Sequence, residues 1–458
     1  MTFYSINFLL FFLAATALVQ LSKTPKTQHR VILLANAVFY AYWDARFLLL
    51  LLGVIGVCYV CARLFESTGK PAFLYGGVAA CLALLGFCKY YNFFISSFAR
   101  AFGLGSVGTL NIILPLGISF YLFQAMSYLL DVKKGAITAE RDFVKLAAYI
   151  SFFPQITSGP IVKAHDFLPQ LDRLHRVRKD NVYLGVTRFV TGLTKKVVLA
   201  DRIGVAVNAV FAAPAAYNGL SIAMAVIGYS LQIYCDFSGY SDMAIGIATV
   251  WDFDLGRNFN MPYLAENPSD FWRRWHISLS SWFRDYVYIP LGGSRRGRFR
   301  TYVNLLVTML LSGLWHGANA TFLVWGAYHG LGCVAHRMLG RRGRQKKPWQ
   351  TALCTAANCL FVSLGWVIFR AESLGKAMEI FRGLFRGTGI CYVNVFTVVY
   401  GGMITLTHLY ARFRRNANAP EEALKLDTFR GKLLLSVWIF LILGLMYCGN
   451  SAFIYANF

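Results

Sequence analysis

Apolar residues run through this chain in blocks long enough to cross a bilayer, separated by short polar joints. A spanning helix needs about 20 predominantly apolar residues. Blocks of that kind lie at 3–21, 46–64, 72–97, 110–130, 184–213, 217–235, 302–314, 320–338, 351–369, 392–411 and 433–449, with shorter apolar pieces at 31–43 and 142–154. The pattern predicts an all-α polytopic membrane protein with roughly eleven to thirteen membrane segments, since a backbone in lipid must satisfy its own hydrogen bonds. No long polar insert and no internal repeat divides the chain, so residues 1–458 read as one transmembrane domain. The first block has neither a basic leader nor a small-residue cleavage site, and reads as a retained helix.

The most polar stretches are 163–182, 252–300, 339–350 and 412–431. Inside the second, "NPSDFWRRWHISLSSWFRDYVYIP" (267–290) is too polar to span yet strongly patterned. Trp272, Trp275/His276, Leu279, Trp282/Phe283 and Tyr286 recur at three- and four-residue spacing, which predicts an amphipathic helix at the membrane interface or re-entering from it. Asn267 suits the N-cap, Pro268 the first helical position and Asp270 the positive end of the dipole. Pro290 with Gly292 and Gly293 ends the pattern.

Composition strengthens the membrane reading: 57% of residues are hydrophobic and only 14% charged, against about 25% charged in soluble domains. Mean hydropathy is +0.50. The net charge of +24 would suggest nucleic acid in a soluble protein. Here the basic residues sit in short joints, "RLHRVRKD", "GGSRRGRFR", "RMLGRRGRQKKP" and "ARFRRNANAP". That is the positive-inside pattern, and no folded basic domain remains to contact nucleic acid. Such a face also suits phosphates of a donor cofactor or an acidic carrier protein. Cys58 and Cys61 form a CxxC, but within an apolar helix and with no second pair, so they read as small hydrophobes.

Ionisable groups within lipid cost at least ~2.5 kcal/mol each and normally face a bundle interior or a wet cavity. They mark where chemistry is to be sought. His316 ends a nearly pure apolar run, flanked by Trp315 and by Gly313 and Gly317, with Asn319 expected one turn further on the same face. A neutral histidine bonded to a neighbouring helix is the plain reading; a general base near neutral pH is the functional one. His276 alone would read as an interfacial anchor beside Trp275. Two such histidines, each preceded by Trp, shift the balance. "QIYCDFSGYSDMAIG" (232–246) places Asp236 and Asp242 among Tyr234, Ser238 and Tyr240. Those carboxylates need partners, for which Arg273, Arg274 or Arg284 are available; a structural ion-pair network and the lining of a substrate passage are both open. "SFFPQITSGPIVKAH" (151–165) is broken by Pro154, Gly159 and Pro160, as backbone buried in protein or lining a cavity can be. His329 and His408 read as ordinary helix residues near membrane ends, and His29, His165, His175 and His336 as residues of basic loops. The chain has no GxSxG elbow, no GxxxxGK[ST] loop, no HExxH and no paired CxxC.

"FWRRWHISLSSWFRDYVYIPLGG" followed by "SGLWHGANATFLVWGAYHG" resembles the membrane-bound O-acyltransferase family, in particular its alginate O-acetyltransferase-like branch. "ILPLGISFYLFQAMSYLLDV", "FFPQITSGPI" and "LQIYCDFSGYSDMAIG" resemble the same branch in the same order, so the motif-bearing core runs from about 110 to 370. The resemblance implies a helical ring around a thin centre, with re-entrant or interfacial helices and funnels from both sides meeting at a catalytic histidine. His316 matches that histidine and His276 the second one. The implied reaction moves an acetyl group from a cytoplasmic thioester, acetyl-CoA or an acyl carrier protein, across the membrane to a hydroxyl, for O-acetylation of an extracellular polysaccharide. His316 would be the base. His276 would orient substrate or stabilise the oxyanion, with Asn319 as a helper. Tyr234, Asp236, Ser238, Trp315, Arg273 and Arg274 would contact substrate. No metal and no bound cofactor are needed. The setting implied is multi-pass in a bacterial inner membrane, among lipid, with a secreted or periplasmic acyltransferase as partner. Three alternatives stand beside it: D-alanyl or other acyl transfer to a cell-wall polymer, a transporter of the acyl donor, and a non-enzymatic scaffold for polysaccharide export.

Overall fold

The computed structural model describes residues 1–104, 108–339, 347–413, 424–447, 449 and 454. The cores of two predicted basic joints, 340–346 and 414–423, lie outside the described residues. Among the described residues the chain is helical with no strand; a lone parallel bridge joins Tyr217 to Ile390.

Four long helices form the first half of the bundle: α1 (Ile6–Leu21), α2 (Pro25–Asp44), α3 (Arg46–Thr68) and α4 (Ala72–Ala101). Their joints are chemically marked. Ser5 and Thr24 cap α1 and α2 through their hydroxyls, and α3 stops at Gly69 in the left-handed region, φ 68°. The predicted block 110–130 is helical only from α5 (Ile118–Lys133) onward. Gly117 turns the chain there at φ 68°, pressed against the Ile156 carbonyl, so no side chain fits. The block 142–154 splits, as its proline predicts, into α6 (Phe143–Ile150) and a short turn at Phe153–Ile156.

The second half is built around α9 (Gly219–Val250), which is longer than the block 217–235 that announced it. It packs along a continuous rod made of α7 (Lys179–Leu193), a π-helical stretch Thr194–Ala200 and α8 (Asp201–Ala212). Small residues allow the two backbones to touch: a Cβ on Gly246 would stand 2.6 Å from the Gly185 carbonyl, and one on Gly239 2.6 Å from that of Gly192. The interfacial segment follows as two short helices, α10 (Pro268–Arg274) and α11 (Ile277–Phe283), not one. Then come the hairpin α12 (Gly297–His316) and α13 (Ala320–Leu339), α14 (Pro348–Arg370), the amphipathic α15 (Leu374–Gly383), α16 (Val395–Phe413) and α17 (Phe429–Leu445). By length and apolarity alone, α3, α4, α9 and α14 suffice to cross a membrane. The others are shorter or carry polar groups that the bundle buries.

The joints 22–24, 163–178, 252–260 and 284–296 gather at one end. Arg176 bonds the Gln20 carbonyl, Arg173 the Asp252 carbonyl, Lys134 the Asp285 carbonyl, and Lys163 the Asp285 carboxylate. At the other end Asn208 meets Arg370, and 214–218 meets 386–390.

Candidate active site

The hairpin α12–α13 places His316. Its two helices meet backbone to backbone, since a Cβ on Gly326 would stand 2.5 Å from the Met309 carbonyl and Gly313 is likewise pressed against the Phe322 carbonyl. Gly313 therefore serves a close approach of backbones, with α13 as the neighbour. His316 is the last residue of α12, is 3% exposed, and lies edge-on to Trp325 at 5.1 Å and Phe369 at 4.9 Å. Asn319 is not one turn further along the same helix. The helix has ended, and Asn319 opens α13: its Oδ1 accepts from Thr321 N at 3.1 Å and its Nδ2 donates to the Glu372 carbonyl at 3.0 Å.

His276 is the junction itself. The expected continuous amphipathic helix breaks at Trp275–His276, where His276 adopts φ 41°, ψ 57°. That left-handed conformation is costly for a residue bearing a Cβ. Asn258 over-determines it. The Ile277 amide donates to the Asn258 carbonyl at 2.8 Å, and Asn258 Oδ1 accepts from the Ser278 amide at 3.3 Å and hydroxyl at 2.9 Å. A backbone N–H pointing at Oδ1 fixes the orientation of the Asn258 amide. The same oxygen lies 3.1 Å from His276 Nδ1, so Nδ1 carries the hydrogen of the neutral ring. Nε2 is then a bare acceptor. It is buried, and no hydrogen bond from the described residues reaches it. Trp315 stands between the two histidines, 6.2 Å from His276 and 4.8 Å from His316.

The cluster 232–246 divides by helix face. Tyr234 turns to the interfacial segment, 6.2 Å from Trp275, with its hydroxyl 3.4 Å from His408 Nε2. Ser238 lies buried one turn on, and Phe237 between them sets its ring edge-on to His276 at 4.6 Å. Asp236 points elsewhere. Its partner is Lys196, at 2.6 Å, which also holds Asp201 at 2.8 Å. Asp242 is held by Lys195 at 2.6 Å and Arg188 at 3.3 Å. None of the expected arginines is used: Arg274 pairs with Asp270, Arg284 with Asp285, and Arg273 is exposed. These lysines escaped notice because "TKKVVLA" reads as the amphipathic rim of a span, whereas the π-helical stretch turns both inward.

Three further residues were missed. His329 is not near a membrane end; it is fully buried between Trp272, Trp325 and Phe361. Asn258 carried no signal, being one polar residue in a polar loop. Lys89 did carry one, a lone cation in "LLGFCKYYNFF", and the rule that singled out His316 applies to it equally. It reaches the Trp315 carbonyl. A cavity of about 1060 Å³ runs between α9, α14 and α16, but neither histidine lines it. Tyr263 separates it from Trp275.

Residues 136–374 match the model of the membrane-bound O-acyltransferase family. The chain belongs to that family. It is an O-acyltransferase, in agreement with the resemblance carried by the two histidine motifs. It is 40% identical over 398 residues to the "Probable alginate O-acetylase AlgI" of Pseudomonas putida, covering 84% of this chain and 80% of the relative. It is 33% identical to the peptidoglycan O-acetyltransferase of Helicobacter pylori, covering 98% of this chain and 94% of the relative. The teichoic acid D-alanyltransferase of Bacillus subtilis is 28% identical over 57% of this chain. Both histidines of this O-acyltransferase fall inside the matched family region, and Lys89 falls outside it.

Proposed function

We propose that this O-acyltransferase takes an acetyl group from a thioester at its basic end and passes it to a hydroxyl arriving from the other end, for O-acetylation of an extracellular polysaccharide. The single observation that carries the reading is the pair of buried histidines bridged by Trp315, one of them with a bare acceptor nitrogen. The relatives named for alginate and peptidoglycan O-acetylation support acetyl as the group and a polysaccharide as the final acceptor. The concentration of Lys and Arg at one end supports a cytoplasmic assignment for that end, in the inner membrane of a bacterium. Donor phosphates or an acidic carrier would dock there, and a secreted partner acyltransferase would receive the group outside.

The step balances as follows. The acceptor oxygen bonds to the acyl carbon while His316 takes the hydroxyl proton, and the carbonyl electron pair moves onto the acyl oxygen. Collapse of that adduct expels the thiolate, which takes the proton back, leaving ester and thiol. General-base help of this kind contributes roughly 10²–10⁴ in rate. His276 Nε2, an acceptor, suits receiving a hydrogen bond from a neighbouring donor group of the incoming acceptor, which orients it and leaves the reacting hydroxyl to His316. As a neutral ring His276 has no hydrogen at Nε2 to offer an oxyanion. Tyr234, Ser238 and Trp315 would line the approach. Asp236 belongs to the ion network behind α9, and Asn319 to the hairpin turn.

The test is transfer of labelled acetyl from acetyl-CoA, or from acyl carrier protein, in membranes containing the chain and its secreted partner. Loss of transfer in His316→Ala, with the protein inserted at normal levels, is expected. Undiminished transfer in that variant would sink the assignment. Uptake of intact donor without ester formation would favour the transporter alternative.

A further inference from the structure

Lys163, Lys195 and Lys196 are buried or partly buried and each faces a carboxylate. Lys89, in the middle of α4, has no carboxylate in ion-pairing range among the described residues. Its ammonium instead donates to the main-chain oxygen of Trp315, stands 5.5 Å from the Trp315 ring centroid and lies 3.5 Å from Ser119 Oγ. The next residue, Tyr90, donates its hydroxyl to the Leu314 carbonyl at 2.6 Å. Leu314 and Trp315 carry terminal carbonyls of α12 at the negative end of its dipole; that of Leu314 also accepts from the Gly317 amide at 3.1 Å. α4 thus grips the turn that bears His316.

A neutral donor is enough to cap a carbonyl, as Tyr90 demonstrates one residue away. A cation within lipid costs at least ~2.5 kcal/mol more to place, and this one is balanced by no nearby anion among the described residues. The acyl-transfer step generates a negative charge beside His316, and His276 has no hydrogen to give it. We propose that Lys89 is a positioning residue for His316 that also supplies the fixed cation opposing the charge that builds on the acyl oxygen. The proposal rests on the acyl-transfer reading. Preorganised charge of this kind, in a site that excludes water, costs no reorganisation at the moment of reaction.

Steady-state acetyl transfer, normalised to folded protein, would be compared for wild type, Lys89→Met, Lys89→Gln, Lys89→Arg, Tyr90→Phe and His316→Gln. Loss of kcat by about tenfold or more in Lys89→Met and Lys89→Gln is expected, below the ~10²–10³ of a direct oxyanion donor, with the donor KM within about twofold. Lys89→Arg should recover most of the kcat. Tyr90→Phe removes a neighbouring grip without removing charge, and should lose at most about threefold. A kcat near wild type in both neutral variants overturns the proposal. So does Tyr90→Phe falling as far as Lys89→Met, or Lys89→Arg falling as far as Lys89→Gln. If Lys89→Met does not fold, Lys89→Gln decides. An active His316→Gln would instead overturn the acyl-transfer reading itself, whereas an inactive His316→Gln beside fully active Lys89 variants would remove Lys89 alone.

Discussion

His276 carries a backbone conformation that its own chemistry disfavours. Positions of this kind cost roughly 1–3 kcal/mol and persist where the surroundings impose them. Asparagine enters the left-handed region more readily. His276→Asn should therefore unfold in detergent at the same temperature as wild type or higher, while acetyl transfer falls by about 100-fold or more. A parallel loss of stability and activity would mean the ring is there to pack. Lys196 presents the opposite case. It is 2% exposed between Asp201 and Asp236, so Lys196→Met leaves two buried carboxylates without their cation. Breaking a buried pair from one side costs about 3–5 kcal/mol, readable as a loss of folded protein or a lower unfolding midpoint.

At the scale of elements, α7 and α9 are fastened by glycines spaced seven apart on each helix: Gly185 and Gly192 against Gly246 and Gly239. Lipid gives no hydrophobic drive for helices to associate, so close packing has to supply it. Gly192→Ala should destabilise by about 1–3 kcal/mol, the usual cost of overpacking. Gly76→Ala, in α4 where a methyl group meets nothing within 4 Å, should be neutral or stabilising by up to ~1 kcal/mol through helix propensity. Thermal unfolding of the two variants side by side checks both signs. Equal behaviour would remove the glycine contact as the organising feature of this crossing.

At the scale of the whole molecule, the basic end is stitched together around Asp285. Burial pushes its carboxyl up, but hydrogen bonds from Arg284 and Lys163 outweigh burial and hold it below its ordinary 3.8. The unfolded chain therefore takes up this proton first as pH falls. The stability that Asp285 contributes is complete above about pH 5 and is lost as pH drops from there through the folded value. Asp285→Asn should lower the unfolding midpoint at neutral pH. It should also flatten the decline between about pH 5 and pH 3 relative to wild type. An identical acid limb in both proteins would mean that the contacts of Asp285 are not felt by the fold.

The alternation of apolar blocks and basic joints determined by itself that this chain is a helical membrane bundle with one strongly basic end, because the bilayer allows little else. The two tryptophan–histidine motifs likewise marked the family and both histidines. The split of 142–154 and the cap at Asn267 were both legible, since each is a local rule about one or two dihedrals, whereas the turn at Gly117 was not, because 110–130 reads as one apolar run. Tertiary structure decided the rest. That His276 is a strained junction, that Asn258 chooses its tautomer, that Asp236 turns to Lys196, and that Lys89 grips the end of α12 all depend on contacts between residues far apart in sequence. Local pattern fixes which face of a helix is polar, but a buried charge takes its meaning from what the fold sets opposite it, and that partner lies on another helix.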